Sequence, residues 1–141
     1  MIEFAIVFPV LLLMFAGAVE IGRMLYTYTT LQKSTESGAR YLSSVIAPNG
    51  TFNSTDITSA KNLVVCGVPA SCSGQTAVAN GLTATNVTIT SPGAGVGLRY
   101  VTVNVTYNYR PLVFDLGAMT GSQQLSLNFT FTPQIKMRYM L

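Results

Sequence analysis

Sixteen consecutive uncharged residues, FAIVFPVLLLMFAGAV from Phe4 to Val19, restrict this chain more than any other feature. Coiled into a helix rising ~1.5 Å per residue, they and Ile2 span about 25 Å, near the lower limit for crossing a bilayer. Three readings compete for the segment: a cleaved signal peptide, an ordinary single-pass anchor, and the hydrophobic stem of a filament subunit that rests in the membrane before assembly. The small residues at Ala16 to Ala18 suit a cleavage site, but no basic region precedes the apolar run.

Charge placement bears on the other two. Arg23, Lys33 and Arg40 follow the run and nothing basic precedes it, which taken alone places the C-terminal bulk in the cytoplasm. Glycosylation sequons and a cysteine pair argue for the outside. A short basic leader before Met1, removed on the cytoplasmic side after insertion, reconciles the two.

Glu3 stands at the mouth of the run. A carboxylate in hydrocarbon is costly, so it calls for a partner. The positive N-terminus of a neighbouring subunit is one, and that pairing would set the axial stagger of an assembly. Alternatively, Glu3 sits at headgroup level as the first-turn residue that the helix dipole favours. Pro9 removes one helical hydrogen bond and predicts a kink or a locally unwound turn.

The helical pattern continues past the run. Ile21, Met24 or Leu25, Tyr28, Leu31, Thr35, Ala39, Leu42 and Val45 or Ile46 recur at three- and four-residue spacing and draw one apolar stripe. Glu36 and Arg40 form an i,i+4 pair on another side. Ala47-Pro48-Asn49-Gly50 is a stop signal. The spacing therefore predicts a stem helix over 1–46, with residues 1–22 as membrane or filament core and 23–46 as an amphipathic half.

A head follows over 47–141. Residues 47–80 read as an irregular connection with one short helix around Thr58 to Val65, and 81–141 as an antiparallel sheet. In LRYVTVNVTYNYR, Val101, Val103, Val105, Tyr107 and Tyr109 share one face. QLSLNFTFT repeats the alternation with Leu125, Leu127, Phe129 and Phe131 inward, and TATNVTIT gives a shorter version with Val87 and Ile89. Pro133 interrupts, and QIKMRYML adds an edge strand. The fold class is α+β: a long N-terminal helix packed on a small antiparallel sheet of three or four strands.

Only 9% of residues are charged, against roughly 25% in soluble domains, so burial between chains or some other device must keep the surface soluble. The net charge of +3 is scattered, which argues against a nucleic-acid partner. Five N-x-[ST] sequons, at Asn49, Asn53, Asn86, Asn104 and Asn128, are more than eight asparagines give by chance, and three of them fall in the expected strands. They are either glycan acceptors or the product of Asn and Thr alternating on polar strand faces.

Cys66 and Cys72 flank a loop containing Gly67 and Pro69, where a disulfide suits an oxidising compartment and a pair of free thiols is the alternative. Zinc would need further ligands, and the chain has no histidine. No catalytic constellation, cofactor motif or phosphate loop can be assembled, and the Gly93 to Gly97 stretch reads as a turn; the expectation is a protein that is not an enzyme and uses no cofactor.

The stretch EFAIVFPVLLLMFAGAVEIGRMLYTYTTLQKSTESGARYLS, with its Glu-Phe-Ala start, proline-broken apolar run, Glu-x-Gly-Arg and later Gly-Ala-Arg-Tyr, resembles the TadE-like pilins of Tad-type (tight adherence) systems within the type IV pilus superfamily. VTVNVTYNYRPLVFDL and the closing MRY extend the resemblance more loosely. It implies a precursor in the inner or cytoplasmic membrane, cleavage by a prepilin peptidase, and assembly by ATPase-driven machinery into an extracellular pilus on the cell surface. Glu3 then corresponds to the glutamate near the start of mature pilins. Two roles follow: a structural subunit that polymerises with itself and serves surface attachment, or a minor pseudopilin needed for assembly. A monomeric, single-pass surface binding protein is the rival class.

Overall fold

A computed structural model describes residues 2–45, 52–90, 100–112, 121 and 126–138. Helix α1 runs Ile2–Val45 and continues through Pro9, so the expected unwound turn does not form. Helix α2 spans Ser54–Cys66 and is longer than the short helix expected there. Among the described residues five strands follow: β1 Val87–Thr90, β2 Tyr100–Val105, β3 Tyr107–Tyr109, β4 Phe129–Phe131 and β5 Gln134–Arg138. The chain divides into two compact units, one of Met1–Thr27 with Asn108–Thr130, the other of Tyr28–Tyr107 with Phe131–Leu141.

The second unit holds the core. Strand β2 lies between β1 and β5, antiparallel to both, with Val103 opposite Ile89 on one side and Ile135 on the other. Alternation then sends Val101, Val103 and Val105 to one face, where all three are fully buried. Leu31, Ala39 and Leu42 of α1 meet them, together with Ala60, Val64 and Val65 of α2. The amphipathic stripe is therefore correct from Tyr28 to Leu42, and a second helix, not foreseen as a cover, shares the work. Each fully buried Leu or Val side chain contributes about 1.5–3 kcal/mol.

Thr35 is fully buried on the stripe at no polar cost, because its Oγ1 donates to the Leu31 carbonyl at 2.7 Å. Gly38 sits where α2 passes closest. A Cβ there would collide with Val64 Cγ2 and stand 3.4 Å from the Ala60 carbonyl oxygen. Tyr28 meets Phe131 edge-on, ring centroids 5.4 Å apart.

Three expectations need correction. The single strand expected through Tyr109 is two strands in two sheets, since β3 pairs with β4 instead of continuing β2. The pairings of β2 end at Val87 and Gln134, and beyond them Val105 N–H turns to the Pro133 carbonyl while Thr106 N–H turns to that of Asn86. In QLSLNFTFT only Phe129–Phe131 is strand among the described residues, and Phe129 is 45% exposed instead of inward; Leu125 lies outside the described residues. Of the described sequon asparagines, only Asn104 lies in a strand: Asn86 closes a 3-10 turn, and Asn128 precedes β4. Among the described residues β5 is an edge strand, as expected.

Candidate assembly surface

The first half of α1 is bare. Phe4, Met14 and Phe15 are each 70% exposed or more, Ile6 shows about two thirds of its surface, and Val7, Phe8, Val10, Leu11, Leu12 and Leu13 about half. Almost nothing in its most apolar window is buried, and by length and composition the helix suffices to cross a membrane. Pro9, Leu12, Leu13, Phe15, Ala16 and Val19 line an apolar groove of about 540 Å³ along it. Glu3 is exposed in the first turn, and the ion pairs among the described residues are Glu20–Arg23 and Glu36–Arg40.

Glu20, directly after the apolar run, is almost wholly buried. Its Oε1 accepts from the Tyr109 hydroxyl at 2.5 Å and from the Leu112 N–H at 3.2 Å, while Oε2 lies 3.5 Å from Arg23 Nη1. A carboxylate at this depth survives because donors surround it. Sequence reasoning gave Glu20 no role; it put Tyr109 on an apolar strand face, and Tyr109 is indeed buried, but the task of its hydroxyl was not foreseen. The signal was present, however: Glu20 lies four, eight and eleven residues before Met24, Tyr28 and Leu31, so helical spacing puts its charge on the buried stripe.

Nearby, Asn108, Tyr109, Arg110, Asn128, Phe129 and Thr130 line a polar groove of about 470 Å³. The Thr130 hydroxyl donates to Asn108 Oδ1 at 2.8 Å across it.

Cys66 and Cys72 are joined, with Cα atoms 5.8 Å apart. Helix α2 ends at Cys66, and Gly67, at φ 75°, takes the left-handed conformation that turns the chain back. Asn62 Nδ2 donates to the Ala70 carbonyl at 2.8 Å and pins the returning loop.

Asn53 and Asn128 are exposed, while Asn49 falls outside the described residues. Asn86 Oδ1 accepts from the Thr83 N–H and hydroxyl. Asn104, between Thr88 and Gln134 on the central strand, is half-buried, and its Oδ1 is enclosed without a hydrogen-bond partner. Among the described residues no group of three or more His, Cys, Asp and Glu is placed to hold a metal.

The bare half-helix, the buried carboxylate after it and the glycine under α2 all fall within the first forty positions. Residues 1–40 match the family model described as TadE-like protein. The match covers α1 up to Arg40 and leaves α2 and the strands outside it. No curated protein and no solved structure matches the chain.

Proposed function

We propose that the chain is a structural subunit of an extracellular Tad-like pilus, polymerising through the apolar half of α1 and serving attachment to surfaces, without a catalytic task of its own. The observation that carries this reading is the exposed apolar surface of Phe4 to Val19 on a helix whose other half is built into a packed head. Such a surface demands lipid or other stems around it. The match to TadE-like proteins over the same residues supports the connection with Tad pili. The precursor waits in the cytoplasmic membrane, a prepilin peptidase processes it, and pilus assembly machinery extracts it.

Electron microscopy of material sheared from producing cells tests the proposal, with antibody against the head marking the subunit. Filaments labelled along their length are expected. Labelling confined to filament ends would make the chain a minor pseudopilin, and unlabelled filaments with the chain left in the membrane would favour the monomeric surface protein.

A further inference from the structure

We infer that Ile21, Leu25 and Tyr26 of α1, together with Leu112, form a collar that seats in the headgroup layer of the membrane and fixes the depth of the precursor. The inference rests on the membrane-inserted precursor proposed above and adds a second contact to it.

The decisive placement is that of Leu112. Its backbone N–H is held by the Glu20 carboxylate, so this leucine stands at the level where the apolar run of α1 ends, yet its side chain is 75% exposed. At the same level Ile21, Leu25 and Tyr26 are exposed by 50%, 55% and 73%. Helix residues advance by about 100° each, so Ile21 and Leu25 face one side, Tyr26 faces another, and Leu112 occupies the side of Glu20. Apolar groups thus ring the helix. A single protein partner docking from one direction would cover one side of it, whereas lipid encloses all of them.

The axial extent fits as well. From Ile21 to Tyr26 the collar advances five residues, about 7.5 Å along the axis, against a headgroup layer of roughly 5–8 Å per leaflet. Beyond Tyr26 the exposed large apolar side chains of α1 stop until Val45, and Leu31 is already fully buried. Tyrosine is a favoured side chain at this depth. Arg23 and Arg110, both exposed, add cations beside the ring, where lipid phosphates would meet them. Matching thickness, aromatic chemistry and charge select the lipid headgroup layer as the occupant over a second copy of the chain.

The chain contains no tryptophan, so single reporters can be introduced into the full-length protein as Phe15→Trp, Leu112→Trp and, on the exposed face of β1, Thr88→Trp. Each is reconstituted at high dilution in phosphatidylethanolamine–phosphatidylglycerol vesicles carrying lipids brominated either near the headgroups or deep in the chains. The expected result is quenching of the Phe15→Trp reporter by deep bromines, of Leu112→Trp by shallow ones with blue-shifted emission, and of Thr88→Trp by neither. A Leu112→Trp reporter as open to aqueous iodide as Thr88→Trp, beside a normally quenched Phe15→Trp, would overturn the collar and leave the membrane reading standing. Shielding of Leu112→Trp only at high protein density would assign the ring to a second copy and likewise overturn it. Failure of Phe15→Trp to be quenched would remove the membrane reading and the collar together.

Discussion

Gly38 and Val64 touch as backbone against side chain, because the Cγ2 methyl of Val64 fills the place where a Cβ on residue 38 would stand. The close passage of α2 over α1 therefore depends on a missing methyl group. Gly38→Ala gains helix propensity of about 1 kcal/mol but overpacks a fully buried valine, at a cost of about 1–3 kcal/mol. A net loss of stability is expected in denaturant unfolding of the detergent-solubilised chain. Val64→Ala in the Gly38→Ala background should recover part of that loss, although Val64→Ala alone destabilises. Simple additivity of the two changes would refute the contact.

Glu20 allows a graded test. Glu20→Gln keeps an oxygen for the Tyr109 hydroxyl and the Leu112 N–H, whereas Glu20→Ala withdraws the acceptor from both at a cost of about 1–3 kcal/mol. The Arg23 contact adds little, since that guanidinium is 43% exposed. Hydrogen exchange at the Leu112 amide should accelerate strongly in Glu20→Ala, weakly in Glu20→Gln, and to an intermediate degree in Tyr109→Phe. Unchanged protection in Glu20→Ala would mean the carboxylate does not hold this segment.

The Cys66–Cys72 bridge closes a short loop and should stabilise the fold by no more than about 2–3 kcal/mol. Its reduction is expected to loosen residues 60–75 while the sheet keeps its protection, because Val101, Val103 and Val105 are covered by α1 as well as α2. Intact-mass analysis after alkylation, with and without reductant, reads the bond directly. Two alkylated cysteines without reductant would contradict the pairing.

Glu3→Ala separates insertion from assembly. Removing a carboxylate from the mouth of the apolar helix should leave membrane insertion at least as efficient, since a charge is expensive there. Filament yield should fall if Glu3 pairs with a neighbouring N-terminus. Leader processing is measured on the same samples by mass, so that a cleavage defect is not taken for an assembly defect. Full yield from correctly processed Glu3→Ala subunits would reduce Glu3 to a first-turn residue.

What the sequence made legible was whatever rests on local periodicity. Leu31, Thr35, Ala39 and Leu42 declared one helix face, and Val101, Val103 and Val105 one strand face, since spacing alone decides both. The break at Thr106 was hidden because Tyr107 and Tyr109 continue the same alternation. It arises from where the neighbouring strands end, which no local pattern records. Glu20 was overlooked for a related reason: its donors stand 89 and 92 positions away, and only its place on an apolar stripe hinted at them.

Among the described residues the three-stranded sheet ends in β1 on one side and β5 on the other, and an open strand edge is an invitation to any extended chain nearby. On β5, Gln134, Lys136 and Arg138 are all exposed, and the Lys136 ammonium is drawn over the Tyr100 ring, 3.6 Å from its centroid. A newcomer aligning along β5 would have to strip water from two cations, while β1 offers only four residues to grip. On the proposed reading of the chain as a pilus subunit, copies crowded together on one membrane would thus be discouraged from sticking through their sheets into disordered aggregates, and joining would be left to the stems.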